Sequence, residues 1–196
     1  MVEAVAALFG IVSVYLSVRE NIWSWPTAIV NVSLYILVFF RARLYADMAL
    51  QVVYIAISIY GWYEWLHGGR GHARLSVSRA SPRLGLALLG IAAAASVLLG
   101  TLLSRHTDAS LPFVDSAATA TSLIAQWMMA RKILENWIVW VAVDVVYVAM
   151  FLYKSLYLTA LLYAVFLILA VMGYRQWKRS LGVASVAESP RGKMTR

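Results

Sequence analysis

The stretch E-N-W-I-V-W-V-A-V-D-V-V-Y, residues 135–147, places Trp137, Trp140 and Asp144 at steps of three and four in the most apolar half of the chain. That spacing puts two indoles and a carboxylate on one side of a helix. Indole faces attract cations, and a carboxylate beside them could neutralise one. The same side continues to Tyr147 and Phe151. Four further segments carry polar side chains at helical spacing: Asp115, Thr119, Ser122 and Gln126; Asp47, Gln51, Tyr54, Ser58 and Trp62; Trp23, Thr27, Asn31 and Tyr35; and Thr159 with Tyr163. Asn and Gln offer a hydroxyl or an amide both a donor and an acceptor. Brought together, these seams suit a flat, polar small molecule with sugar-like hydroxyls, a cation among the options.

The elements that must hold them are membrane spans. Of 196 residues, 62% are hydrophobic and only 13% charged, with a mean hydropathy of +0.75, whereas soluble domains run nearer half apolar and a quarter charged. The apolar stretches have the length, roughly 20 residues, that a helix needs to cross the hydrocarbon of a lipid bilayer. Seven are expected, at 2–18, 22–40, 44–66, 84–103, 111–130, 137–153 and 155–173, the first of them a retained span rather than a signal peptide. Polar groups inside spans usually face a bundle interior or a water-filled cavity. The competing reading is that they tie helices together and that tryptophans mark the lipid interface. Trp62, Trp65 and Trp177, near span ends, are assigned to the interfacial belt, Trp23 and Trp25 stay open, and Trp140 and Asp144 lie too deep for a belt.

A net charge of +8 would suggest a nucleic-acid partner in a soluble domain, but its distribution points to a membrane orientation. With seven spans, 13 of the 17 basic residues fall on one side, while Arg41, Arg43, Arg105 and Lys154 fall on the other. Basic loops stay in the cytoplasm, so the C-terminus is expected inside and the N-terminus outside. There is no cysteine, hence no disulfide framework and no thiolate site. His67, His72 and His106 all lie in loops, and H-G-G-R-G-H-A-R reads as a solvated basic connector rather than a metal site. No span pairs His with Asp or Ser, which disfavours an enzyme.

Shifting the chain by 112 residues against itself, without gaps, sets Arg19 on Arg131, Trp25 on Trp137, Tyr35 on Tyr147, Phe39 on Phe151, Gly61 on Gly173 and Trp65 on Trp177. An internal duplication follows. Residues 1–66 form one three-helix repeat, 67–110 a basic cytoplasmic loop and linker helix, 111–177 the second repeat, and 178–196 a disordered cytoplasmic tail. The odd linker helix makes the repeats parallel, and in transporters of that kind the substrate sits between them near the bilayer midplane. The linker, uncharged and without aromatics, is expected to be a connector or an oligomer contact.

The segments N-I-W-S-W-P-T-A-I-V-N-V-S-L-Y, F-F-R-A-R-L-Y-A-D-M-A-L-Q-V-V-Y, I-Y-G-W-Y-E-W, L-I-A-Q-W-M-M-A-R-K-I-L-E-N-W and L-Y-A-V-F-L-I-L-A-V-M-G-Y-R-Q-W together resemble the PnuC family of bacterial vitamin transporters, over nearly the whole chain. The resemblance implies an all-α, 3+1+3 fold like that of the SWEET sugar transporters, a homotrimer, and facilitated diffusion of a vitamin precursor across the inner membrane, made one-way by phosphorylation inside. It also implies that the W-x-x-W motif, here Trp137 and Trp140, goes with nicotinamide riboside, while thiamine-transporting relatives depart from it. On that expectation the two tryptophans enclose the pyridinium ring, and Gln51, Gln126, Asn31 and Asp144 hold the carboxamide and ribose. Tyr147, Tyr163 and Ser122 complete the candidate site. Whether Asp144 faces the pyridinium or the ribose stays open. So do transport of thiamine or another vitamin and proton symport through Asp47, Asp115 or Asp144. No cofactor, metal or nucleic acid is expected; the surrounding partner is membrane lipid.

Overall fold

The computed structural model describes residues 2–41, 43, 45–106 and 111–187. Seven α-helices run through them: α1 (Val2–Val18), α2 (Ser24–Arg41), α3 (Tyr45–His67), α4 (Pro82–His106), α5 (Pro112–Ala130), α6 (Asn136–Tyr153) and α7 (Tyr157–Ala187). Four of them, α2, α4, α6 and α7, are long and apolar enough to cross a membrane by length and composition alone. The helix α1 is apolar but has 17 residues, and α3 and α5 are diluted by the polar seams they carry.

Helix α1 packs on α2, α2 on α3, α3 on α5, α5 on α6, α6 on α7 and α7 back on α1, so six helices close a ring, while α4 lies outside it against α5. This is the 3+1+3 arrangement. The two contacts that join the halves, α1 with α7 and α3 with α5, exchange under the same shift of 112 residues that relates Trp25 to Trp137.

Local geometry repeats under that shift. Left-handed backbone occurs at Glu20 (φ 52°) and Lys132 (φ 49°), where α1 and α5 end, and at Arg43 (φ 60°) and Ser155 (φ 56°), after α2 and α6. A helix end often uses one such residue to reverse the chain. Tyr35 stacks on Phe39 with ring centroids 5.8 Å apart, and Tyr147 on Phe151 at the same separation. Trp65 Nε1 donates to the Met129 carbonyl at 3.1 Å, and its mate Trp177 Nε1 donates to the Ser17 carbonyl at 3.0 Å. Each half thus hands one indole N–H to the end of the other half's first helix.

Four indoles form a chain across the pseudo-twofold axis. Trp25 meets Trp65 edge-on at 5.3 Å, Trp65 meets Trp177 at 5.8 Å, and Trp177 meets Trp137 edge-on at 5.4 Å. Such pairs contribute about 0.5–1.5 kcal/mol each beyond area burial. Trp65 and Trp177 are therefore core residues, 3% and 0% exposed, and not the interfacial belt residues their places near span ends suggested. Glycine makes the room: a Cβ on Gly61 would run into the Trp25 ring, and one on Gly173 would stand 2.5 Å from the ring of Trp137. Alanine in a helix normally stabilises relative to glycine by about 1 kcal/mol. Here Gly61→Ala and Gly173→Ala are each expected to destabilise by about 2 kcal/mol, the cost of overpacking, and to similar extents, as melting of the purified protein would reveal.

Two further sequence expectations change. Residues 178–187, assigned to the tail, continue α7 to Ala187, because nothing between Trp177 and Ala187 breaks a helix except one tolerated glycine, Gly182. The rest of that tail lies outside the described residues. The basic connector is solvated over 71–74, but the residues after it dock. Ser78 N–H donates to the Lys132 carbonyl at 3.0 Å, Leu134 N–H donates back to Ser78 at 2.9 Å, Ala80 N–H donates to Glu135 Oε2 at 2.8 Å, and Val77 is buried. This strap ties the end of α3 to the α5–α6 turn from which Trp137 departs.

Candidate functional site

The six-helix ring encloses a cavity of about 670 Å³, lined from every ring helix and by no residue of α4. At one end its wall is Trp25 and Trp137, backed by Trp65 and Trp177. Ion pairs cover the same end: Lys132 Nζ to Glu20 at 3.0 Å and Arg131 to Glu64 at 3.0 Å, with Lys132 Nζ also 4.6 Å from the centre of the Trp65 ring. Lys132 and Glu20 are mates under the 112-residue shift and bond to each other across the axis. At the opposite end the lining residues Glu3, Asp47 and Lys154 are exposed, so the cavity opens there.

All nine residues singled out from the sequence line this one cavity: Asn31, Gln51, Ser122, Gln126, Trp137, Trp140, Asp144, Tyr147 and Tyr163. Their states differ. Trp137 is fully buried, wedged between Gly173 and Trp177, whereas Trp140, one turn on, is half-buried. The indole N–H groups of both have no acceptor among the described residues. Asp144 is 3% exposed and meets no hydrogen-bond donor or cation among the described residues. Such a carboxylate is unfavourable in a low-dielectric interior unless something pairs with it.

Two candidates are partly engaged. Asn31 Nδ2 donates to the Ala6 carbonyl at 2.6 Å, which leaves its Oδ1 as the group it can offer. Ser122 Oγ donates to the Thr119 carbonyl at 2.9 Å and lies 2.7 Å from Tyr54 Oη. A hydroxyl has one proton to give, so Tyr54 is the donor in that pair and Ser122 acts chiefly as a tie between α3 and α5. The amides of Gln51 and Gln126 make no hydrogen bond among the described residues and face the cavity. Tyr147 and Tyr163 belong to an aromatic cluster with Phe151 and Phe166, their own centroids 4.7 Å apart.

The sequence reading left Tyr54, Ser58, Thr119 and Ala28 out of the site, and all line the cavity. The first three lay on its polar seams. Ala28 is apolar and on none of them, yet it is the mate of Trp140 under the shift of 112, so carrying that shift through the site residues would have found it. Among the described residues the lining has four carboxylates, Glu3, Asp47, Asp115 and Asp144, against one cation, Lys154. A site of that charge, with an indole wall and free amides, suits a cationic or neutral polar aromatic, and among the described residues it holds no nucleophile–base pair.

Comparison with known proteins identifies the family and the fold. The family model described as nicotinamide mononucleotide transporter matches residues 1–179. The chain is 28% identical over 204 residues to the nicotinamide riboside transporter PnuC of Escherichia coli (strain K12), covering 91% of this chain and 85% of that protein. It is 27% identical over 189 residues to the nicotinamide riboside transporter PnuC of Neisseria mucosa, covering 90% and 71%. It is also 25% identical over 181 residues to the riboflavin/roseoflavin transporter RibM of Streptomyces davaonensis, covering 89% and 83%. The crystal structure of the vitamin B3 transporter PnuC has the same fold, with a TM-score of 0.74 over 93% of this chain and 82% of that one at 22% identity. Since the family match runs from α1 into the last turns of α7 and so takes in every helix that lines the cavity, the chain belongs to the nicotinamide mononucleotide transporter family and is a membrane transporter, not an enzyme.

Proposed function

We propose that the protein carries nicotinamide riboside by facilitated diffusion, through alternating access of its two repeats. The observation that carries this reading is Asp144, a buried carboxylate with no partner among the described residues, one turn beyond Trp140 in the cavity wall. Nicotinamide riboside has a flat pyridinium cation, a carboxamide and a ribose. Trp140 and Trp137 suit the ring, Asp144 its charge, and Gln51, Gln126 and the Asn31 carbonyl the carboxamide and ribose. Although the family description names the mononucleotide, four lining carboxylates against Lys154 as the one cation among the described residues favour the unphosphorylated riboside. A phosphorylated product inside the cell would be repelled by the same charges, which fits trapping by phosphorylation.

The distribution of basic loops supports an orientation in the bacterial inner membrane with the indole-walled end in the cytoplasm and the N-terminus outside. On that orientation this conformation faces outward. Rocking of the repeats would then separate Lys132 from Glu20 and draw the four indoles apart at the inner end. Assembly as a homotrimer fits the outer position of α4, whose Leu86, Leu89 and Val97 are exposed.

A second reading, transport of thiamine or riboflavin, draws on the riboflavin/roseoflavin transporter among the relatives and on the volume of the cavity. Equilibrium binding of nicotinamide riboside, its mononucleotide, thiamine and riboflavin to the purified protein separates these readings. The riboside is expected to bind, and the mononucleotide at least about tenfold more weakly, a difference of 1.4 kcal/mol. Preferred binding of thiamine or riboflavin would replace the substrate and keep the transport reading. In proteoliposomes uptake is expected to persist after the proton gradient is collapsed; loss of uptake would instead make Asp47, Asp115 or Asp144 a proton carrier.

A further inference from the structure

Most lining residues of one half have lining mates in the other, and α2 and α6 differ where the proposed ligand ring would lie. On α2, the cavity-lining residues Trp25, Ala28, Val32, Tyr35, Val38 and Phe39 fall, under the shift of 112, on Trp137, Trp140, Asp144, Tyr147, Met150 and Phe151 of α6, and these six line the same cavity. At the closed end the pair is Trp with Trp, and toward the open end Tyr with Tyr and Phe with Phe, each with matching ring geometry. Between these levels the pairs are Ala28 with Trp140 and Val32 with Asp144, while Asn31 lines the cavity and its mate Val143 does not.

Because the frame is pseudo-twofold, a tryptophan at position 28 would reach into the cavity as Trp140 does from the other side. Two indoles at one level would then compete for the space beside the axis. We infer that Ala28 is a specificity-determining residue: its small side chain leaves open, opposite Trp140, the slot that receives the flat ring of the transported vitamin. At this level α6 thus supplies the aromatic face and the charge through Trp140 and Asp144, and Ala28 and Val32 of α2 supply a small aliphatic surface opposite. Ala28 is half-buried and faces the cavity, so a larger side chain there grows into the cavity. This inference rests on the function proposed above for the identity of the ring, but not for the existence of the slot.

The test is a reciprocal swap. Wild type, Ala28→Val, Ala28→Trp, and Ala28→Trp combined with Trp140→Ala are purified and titrated with nicotinamide riboside, thiamine and riboflavin, with helical circular dichroism on melting as the check on folding. For the vitamin that wild type binds, Ala28→Val is expected to weaken binding several-fold and Ala28→Trp at least about tenfold, as pocket occlusion does, with melting unchanged. The double variant, which moves the indole to the opposite wall, is expected to recover a substantial part of the affinity lost in Ala28→Trp, an effect that a merely structural role for Ala28 would not produce. Wild-type affinity in folded Ala28→Trp would overturn the slot, and so would a folded double variant that binds no better than Ala28→Trp. If wild type prefers thiamine or riboflavin, the substrate assignment falls, while the same four proteins still decide the slot with that vitamin.

Discussion

Trp140→Ala is expected to bind nicotinamide riboside roughly a hundredfold more weakly than wild type while melting at nearly the same temperature. A desolvated cation over an indole face is stabilised by about 2 kcal/mol and ring stacking adds about 0.5–1.5 kcal/mol, together close to the roughly 2.7 kcal/mol of a hundredfold change. Stability is largely spared because the Trp140 side chain is half-buried in the cavity wall and its N–H meets no acceptor among the described residues. Trp177→Ala is the control of opposite kind. It removes the hydrogen bond to Ser17 and two ring contacts at a fully buried position, and it is expected to destabilise by about 3–5 kcal/mol. Calorimetric titration and thermal melting of the two variants should therefore separate, one losing affinity and the other stability. Unchanged affinity in Trp140→Ala would remove that indole from the site.

Asp144→Asn is expected to move affinity and stability in opposite directions. The substitution keeps the shape and one acceptor oxygen and removes a charge that, in the ligand-free protein, is buried without a partner among the described residues. Ligand-free protein should gain on the order of 1 kcal/mol, because an unpaired buried carboxylate is unfavourable. Binding of the cationic riboside should fall by about 2 kcal/mol or more, as when one member of a buried charge pair is lost. A neutral analogue, the riboside with a reduced dihydropyridine ring, separates the two roles open to Asp144. If the carboxylate faces the pyridinium, wild type prefers the cation and the variant loses that preference. If it accepts from the ribose, both ligands weaken equally. No loss with either ligand would exclude Asp144 from binding.

Much of the frame was legible before any tertiary contact was known. The first span was read at 2–18, the bounds of α1, because a run of apolar residues between a polar start and a polar turn has only one way to sit in lipid. The polar seams were legible for a related reason: helical spacing fixes which side chains share a face. An aromatic near a span end suits the lipid interface and a closed bundle end alike, so the sequence assigns Trp65 and Trp177 to the belt and the fold assigns them to the core. Gly61 and Gly173, each four residues earlier on the same helix, hold the signal that decides between them, since a glycine facing a ring makes room for close packing. The composition of residues 178–187 suggests a disordered tail, whereas α7 continues through them in the absence of a breaker.

The sequence by itself determined the number of spans, the duplication and the faces that carry polar groups, because each follows from hydrocarbon thickness, self-similarity or helical periodicity within a short stretch. Only the tertiary structure decided which of those polar groups are free. Asn31 gives its N–H to Ala6, Ser122 is tied to Thr119 and Tyr54, and Asp144 is left unpartnered among the described residues. It also decided that Trp177 meets Ser17, its partner 160 residues away. Hydrogen-bond partners of this kind come from which helices close the ring and at what height their faces meet, and no local pattern along a single helix contains that information.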